Sequence, residues 1–125
     1  MSIKATARQI AALESGQPAP MSEAELLAAV RKLARLLKWR VAHFRPGRTS
    51  TGWRTPCEAD AKGFPDLVMT KGSRLIAAEL KSARGRTTDE QLAWLGAFRD
   101  CGAEIYIWRP ADWPAIVELL TAKNS

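Results

Sequence analysis

Cysteine is scarce in this sequence. Cys57 and Cys101 are the only two, too few for a disulfide framework and without the CxxC spacing of a zinc site. They read as free thiols of a cytosolic protein. No run of 18 apolar residues occurs, which excludes a membrane-spanning helix. The amphipathic stretch from Ile3 to Leu13 lacks the continuous apolar segment of a signal peptide, so the cytoplasm is the expected location. His43 is the only histidine and reads first as a structural strand residue. Repeats and low-complexity tracts are missing. Acid is in deficit, with 13 Asp and Glu against 19 Lys and Arg and a formal net charge of +6. Such a surface suits a polyanionic partner, whose phosphates attract it and release counterions on contact. Charge alone describes a merely basic protein equally well.

What is present is the composition of one soluble domain. The chain has 125 residues, 46% hydrophobic and 26% charged, enough for one modest core. Ser15-Gly-Gln-Pro-Ala-Pro20 breaks any N-terminal helix, so residues 1–20 are expected to be a flexible, loosely attached arm on a domain spanning 21–125. Ser22 with Glu25 three positions on is a capping box. Leu26, Val30, Leu33 and Leu37 then repeat at helical spacing, and the helix should end near Lys38. Trp39 to Phe44 reads as a strand, and Arg45 to Lys62 as a long loop. Phe64 to Thr70 and Leu75 to Ser82 form two strands joined by a turn at 71–74. Thr87 or Thr88 caps a helix reaching Cys101, with Leu92, Leu95 and Phe98 expected on its buried side and Gly102 as its stop. Ala103 to Trp108 is a fourth strand. Pro110 ends it, Asp112 caps, and Trp113 to Lys123 is a last helix. The order is α-β-β-β-α-β-α, with a parallel pairing expected across the helical crossover.

The two hairpin strands carry charge where core is expected. Alternation puts Leu75, Ala77, Glu79 and Lys81 on one face, and Asp66 falls across from Glu79 or one step away. Two such carboxylates repel unless a positive charge lies between them. Mg²⁺ is commonly held by one or two carboxylates together with water and substrate phosphates. Lys81 would then serve a phosphate oxygen or the attacking water. A solvated Glu–Lys pair on an edge strand is the plain alternative. Lys38, Arg40, Arg45, Arg48 and Arg54 come with no acid until Glu58, and Trp53 stands among them, a pattern that can grip phosphates and stack on a base. Arg84 and Arg86 follow the third strand as further candidate contacts to nucleic acid.

Gly63, Pro65, Asp66, Glu79, Lys81 and Gln91, in GFPDLV, AAELKS and TTDEQLAWL, resemble the PD-(D/E)xK nuclease superfamily, and within it the VRR-NUC domain, over roughly residues 22 to 118. The resemblance implies an α/β restriction-endonuclease-like core, with a central mixed four-stranded sheet flanked by helices. It implies Mg²⁺ or Mn²⁺ held by Asp66, Glu79 and the Leu80 carbonyl, with Lys81 at the water or the transition state. It also implies roles for Gln91 and for a leading-helix acid. Glu23 continues the apolar stripe and is preferred for that acid; Glu25 is the alternative, already explained as a cap. First-turn placement at the helix dipole is the plain reading of Glu23, and a capping box with Thr88 that of Gln91. The expected function is metal-dependent hydrolysis of DNA, without an organic cofactor. Stand-alone members of the look-alike family occur in phages, dimerise and resemble Holliday-junction resolvases, which implies branched DNA and a homodimer in a bacterial or phage-infected cell. Trp113 beside Pro114 is the candidate interface anchor, although a core position explains it as well. The alternatives are a nicking or general structure-specific nuclease, and a non-catalytic nucleic-acid-binding protein on a nuclease-like fold.

Overall fold

The computed structural model describes residues 21–44, 47–49, 52–54 and 61–122, the two short internal stretches by their backbone. The expected arm at 1–20, Arg45 and the chain end from 123 lie outside them. Helix α1 (Glu23–Leu36) begins at the expected capping box: the Ser22 hydroxyl accepts from the Glu25 N–H, and Glu25 Oε1 accepts from the Ser22 N–H, both at 3.1 Å. Leu26, Val30, Leu33 and Leu37 are buried, as their spacing requires. The helix closes with Trp39 N–H donating to Ala34 and Lys38 N–H to Arg35, a Schellman closure. Lys38 takes the left-handed position, at φ 72°. Gly102, at φ 93°, performs the same closure where glycine is expected, with Ala103 N–H donating to Phe98.

Four strands form one mixed sheet. β1 (Arg40–His43), β4 (Leu67–Lys71), β5 (Arg74–Leu80) and β6 (Glu104–Trp108) lie in that spatial order. The β1–β4 and β4–β5 pairings are antiparallel, and β5–β6 is parallel across helix α2 (Asp89–Asp100). Gly72 and Ser73 turn β4 into β5, with Gly72 at φ 60°. The span 45–62, expected to be loop, contains a small separate hairpin, β2 (Gly47–Thr49) with β3 (Gly52–Arg54). The final helix α3 (Trp113–Thr121) follows a one-turn 3₁₀ segment, Pro110–Asp112. Asp112 caps that lead-in, accepting the Arg109 N–H at 2.8 Å, and not the first turn of α3.

Strand alternation divides the sheet into two faces. Leu67, Met69, Ile76, Ala78, Leu80 and Trp108 join α1 and α3 in the main core. Trp39 Nε1 donates to the Leu120 carbonyl at 3.0 Å inside it, and Trp113 packs against it. Arg74 stacks over Trp39 and holds Glu104 with two bonds of 2.8 and 2.7 Å. The opposite face carries Asp66, Val68, Ala77, Glu79, Ile105 and Ile107, with α2 over it. That side is thinner. Among the residues of α2 only Leu95 is fully buried. Leu92, expected to be buried, is 47% exposed.

Candidate active site

The β4–β5 register pairs Leu67 with Ala78, so the next step outward sets Asp66 opposite Glu79. β4 stops there, and the Asp66 side chain replaces the missing ladder acceptor: its Oδ2 accepts the Leu80 N–H at 2.9 Å. Its backbone carbonyl accepts the Phe44 N–H at 2.9 Å. The carboxylate is thereby fixed from both neighbouring strands. Within an extended residue the N–H and C=O point the same way, so the Leu80 carbonyl also faces the Asp66 side. The Lys81 N–H bonds to the Trp108 carbonyl on the other flank at 2.9 Å.

Glu79 is fully buried, and as a carboxylate neither of its oxygens accepts a hydrogen bond. Two carboxylates can bond to each other only when one holds a proton. Burial, followed by the adjoining Asp66 carboxyl as bonding partner and as like charge, pushes Glu79 up to about 8, with the Lys81 ammonium pulling the other way. Asp66, Glu79 and Lys81 therefore converge as strand alternation anticipates. An ionised carboxylate buried without partners is strongly unfavourable, so this site either keeps a proton or takes up a cation.

The turn before Asp66 ties the pair to α2. Gly63 sits at φ 82°, and a Cβ there would come within 2.6 Å of the Glu90 carbonyl carbon and 2.8 Å of the Gln91 nitrogen. Only glycine fits both the backbone angle and this approach. Phe64 is held edge-on between Phe44 and Trp94, with ring centroids at 5.1 and 4.9 Å. Gln91 thus begins a helix packed against the loop that carries Asp66. Its Oε1 accepts the Thr88 N–H at 2.8 Å, in a complete capping box. Glu23 is the first residue of α1 and is half-buried. Among the described residues no three His, Cys, Asp or Glu side chains gather into one cage. Glu25 is occupied by its cap.

Arg84 and Arg86 are exposed on the loop after β5. Sequence reasoning passed over the residue that anchors that loop. Arg109 Nη1 donates to the carbonyls of Ser82 and Gly85 at 2.8 and 2.6 Å; its place directly after β6 was the available signal. In the β2–β3 ribbon, Arg48 stands opposite Trp53, and Gly47 opposite Arg54. The chain matches no protein-family model, and neither curated proteins nor solved structures include a significant relative.

Proposed function

We propose that this protein is a divalent-cation-dependent endonuclease that hydrolyses phosphodiester bonds in DNA, on a restriction-endonuclease-like core, with branched DNA as its substrate class. The observation that carries the reading is Glu79: a buried carboxyl without a hydrogen-bond donor, set against the fixed carboxyl of Asp66 and beside the Lys81 ammonium. A structural core position would carry an apolar residue there, as Ala77 and Leu80 do. The donor set suits a hard cation that prefers oxygen. Asp66, Glu79 and the Leu80 carbonyl would hold Mg²⁺ or Mn²⁺, which would polarise the scissile phosphate and make bound water a competent nucleophile.

The chain's own groups have separable tasks. Asp66 and Glu79 supply negative charge at one fixed spot, because Leu80 N–H and the β5 backbone leave them little freedom. Lys81 presents a compact ammonium to the attacking water or to a phosphate oxygen, and stabilises the charge that builds up there. Arg84 and Arg86 flank the site to hold backbone phosphates, while Arg48, Trp53 and Arg54 of the ribbon, with Arg45 shortly before it in sequence, offer a second set. The net charge of +6 fits a polyanionic substrate.

The test is cleavage of labelled four-way junctions, flaps and linear duplex by the purified protein, with and without Mg²⁺ or Mn²⁺. Metal-dependent cutting, strongest on the junction, is expected. Tight DNA binding without cleavage under any of these metals would favour a non-catalytic binding protein.

A further inference from the structure

The carboxyl pair belongs to a row that crosses the whole sheet. The β1–β4 register pairs His43 with Leu67, so one step outward Phe44 stands opposite Asp66. The Phe44 N–H donates to the Asp66 carbonyl at 2.9 Å. On the far side Glu79 is paired with Ile107. Phe44, Asp66, Glu79 and Ile107 therefore follow one another across four strands, on the face that carries α2. Neighbours in such a row have Cβ atoms about 5 Å apart.

The helix covers this row unevenly. It packs mainly on β6 and β5, and the β1 end is open. Phe44 is 41% exposed, the one exposed aromatic among the residues whose side chains are described. Ala42 and Arg40, two and four residues back on the same face of β1, are exposed as well. Phe44 is nevertheless fixed in place. Its ring meets Phe64 edge-to-face with centroids 5.1 Å apart, and Phe64 in turn meets Trp94 and Phe98 of α2 at 4.9 and 5.9 Å. A lone apolar residue at a surface needs no explanation. This one is buttressed by three aromatics and stands in line with two convergent carboxyls.

We infer that Phe44 is a stacking platform for one unpaired base of DNA, next to the phosphate at the carboxyl pair. The position of that phosphate rests on the nuclease reading. An aromatic ring serves any base, because every base has a π face. Phe44 lies one strand spacing, about 5 Å, from Asp66. Charge suits the same occupant. Lys81 lies beyond the row on β5, and Arg40 lies before it on β1, about 13 Å along the strand from Phe44. Cations thus stand on both sides of the row for the backbone of the strand that carries the base. Ala42, between Arg40 and Phe44, keeps the surface low enough for close approach. A base inside a duplex reaches such a ring only by unstacking, at a cost that is least for a base already unpaired. The substrate class narrows to branched DNA with an unpaired nucleotide beside the scissile phosphate.

The test is binding without metal, so that cleavage plays no part. Fluorescence anisotropy compares a labelled flap, unpaired at its branch nucleotide, with the same flap carrying an abasic site there. The wild type should bind the abasic flap about tenfold more weakly. Phe44→Leu keeps an apolar side chain and removes the ring. It should lose about tenfold on the complete flap and nothing further on the abasic one, since the two changes delete one contact. Phe44→Trp should restore both the affinity and the sensitivity to the missing base. A wild type indifferent to the abasic site, Phe44→Leu binding as the wild type does, or two penalties that simply multiply would each overturn the platform. Coupling without metal-dependent cleavage would keep the base site and remove the nuclease reading; cleavage without coupling would do the reverse.

Discussion

Glu79 concentrates the chemistry of this protein in one side chain. Strand alternation placed it beside Lys81, because period two leaves a strand residue only two faces, while the turn at 71–74 set Asp66 across from it or one step away and the register decided between the two. Its burial has a thermodynamic consequence in metal-free protein. The folded chain holds a proton at Glu79 up to about 8, against an ordinary carboxyl value of 4.5. Between those values the native state binds more protons than the unfolded state, so stability falls as pH rises. The loss is up to about 1.4 kcal/mol per pH unit across that window. Glu79→Gln keeps the shape and cannot ionise. Urea melts at about pH 5 and about pH 8 should show a declining stability in the wild type and a much flatter one in the variant. An equal slope in both would mean that Glu79 is ionised in the folded chain. Lys38 marks the limit of legibility at this scale. Its left-handed backbone has no signature in the sequence, since lysine does not announce that conformation as glycine does.

At the scale of elements, capped helices and apolar strands were legible because each carries a local signal. Ser22 with Glu25 and Thr88 with Gln91 marked two helix starts, and Gly102 marked a stop. The β2–β3 ribbon was not legible. Gly47 to Arg54 has neither alternation nor an apolar run, and a ribbon of three-residue strands needs none. Leu92 was misplaced for a different reason: helical spacing names a stripe, but it does not say whether the chain has anything to cover it. Gln91 presents a choice that one substitution resolves. Gln91→Glu preserves the capping box, so melting should hold within about 0.5 kcal/mol. If Gln91 also serves the site, cleavage should fall by about tenfold or more, because the amide donor is replaced by a negative charge. Full activity would leave Gln91 as a cap alone. The ribbon and its flanks are expected to bind and not to catalyse. Replacing Arg45, Arg48 and Arg54 by alanine should weaken DNA binding and flatten its salt dependence, by about 0.9 in slope for each duplex phosphate no longer neutralised. An unchanged slope would put the DNA elsewhere.

At the scale of the whole molecule, the sheet separates two tasks. One face, with α1 and α3, holds the core; the other carries the carboxyl pair beneath a thin cover of α2. The crossover from β5 through α2 to β6 brings the start of α2 against the Gly63 turn, so residues far apart in sequence meet at one end of the sheet. A role for Gln91 at the site was only implied by the family resemblance, whereas the contact of α2 with the Gly63 turn and the thin cover of α2 needed three dimensions to be seen. The most direct measurement is cleavage of a labelled four-way junction in Mg²⁺ or Mn²⁺ by the wild type beside Asp66→Asn and Glu79→Gln. Metal-dependent cutting by the wild type, abolished in both variants while their metal-free melts show intact folding, is the expected result. A folded Asp66→Asn or Glu79→Gln protein that cuts at nearly the wild-type rate would contradict the assignment of this carboxyl pair as the active site.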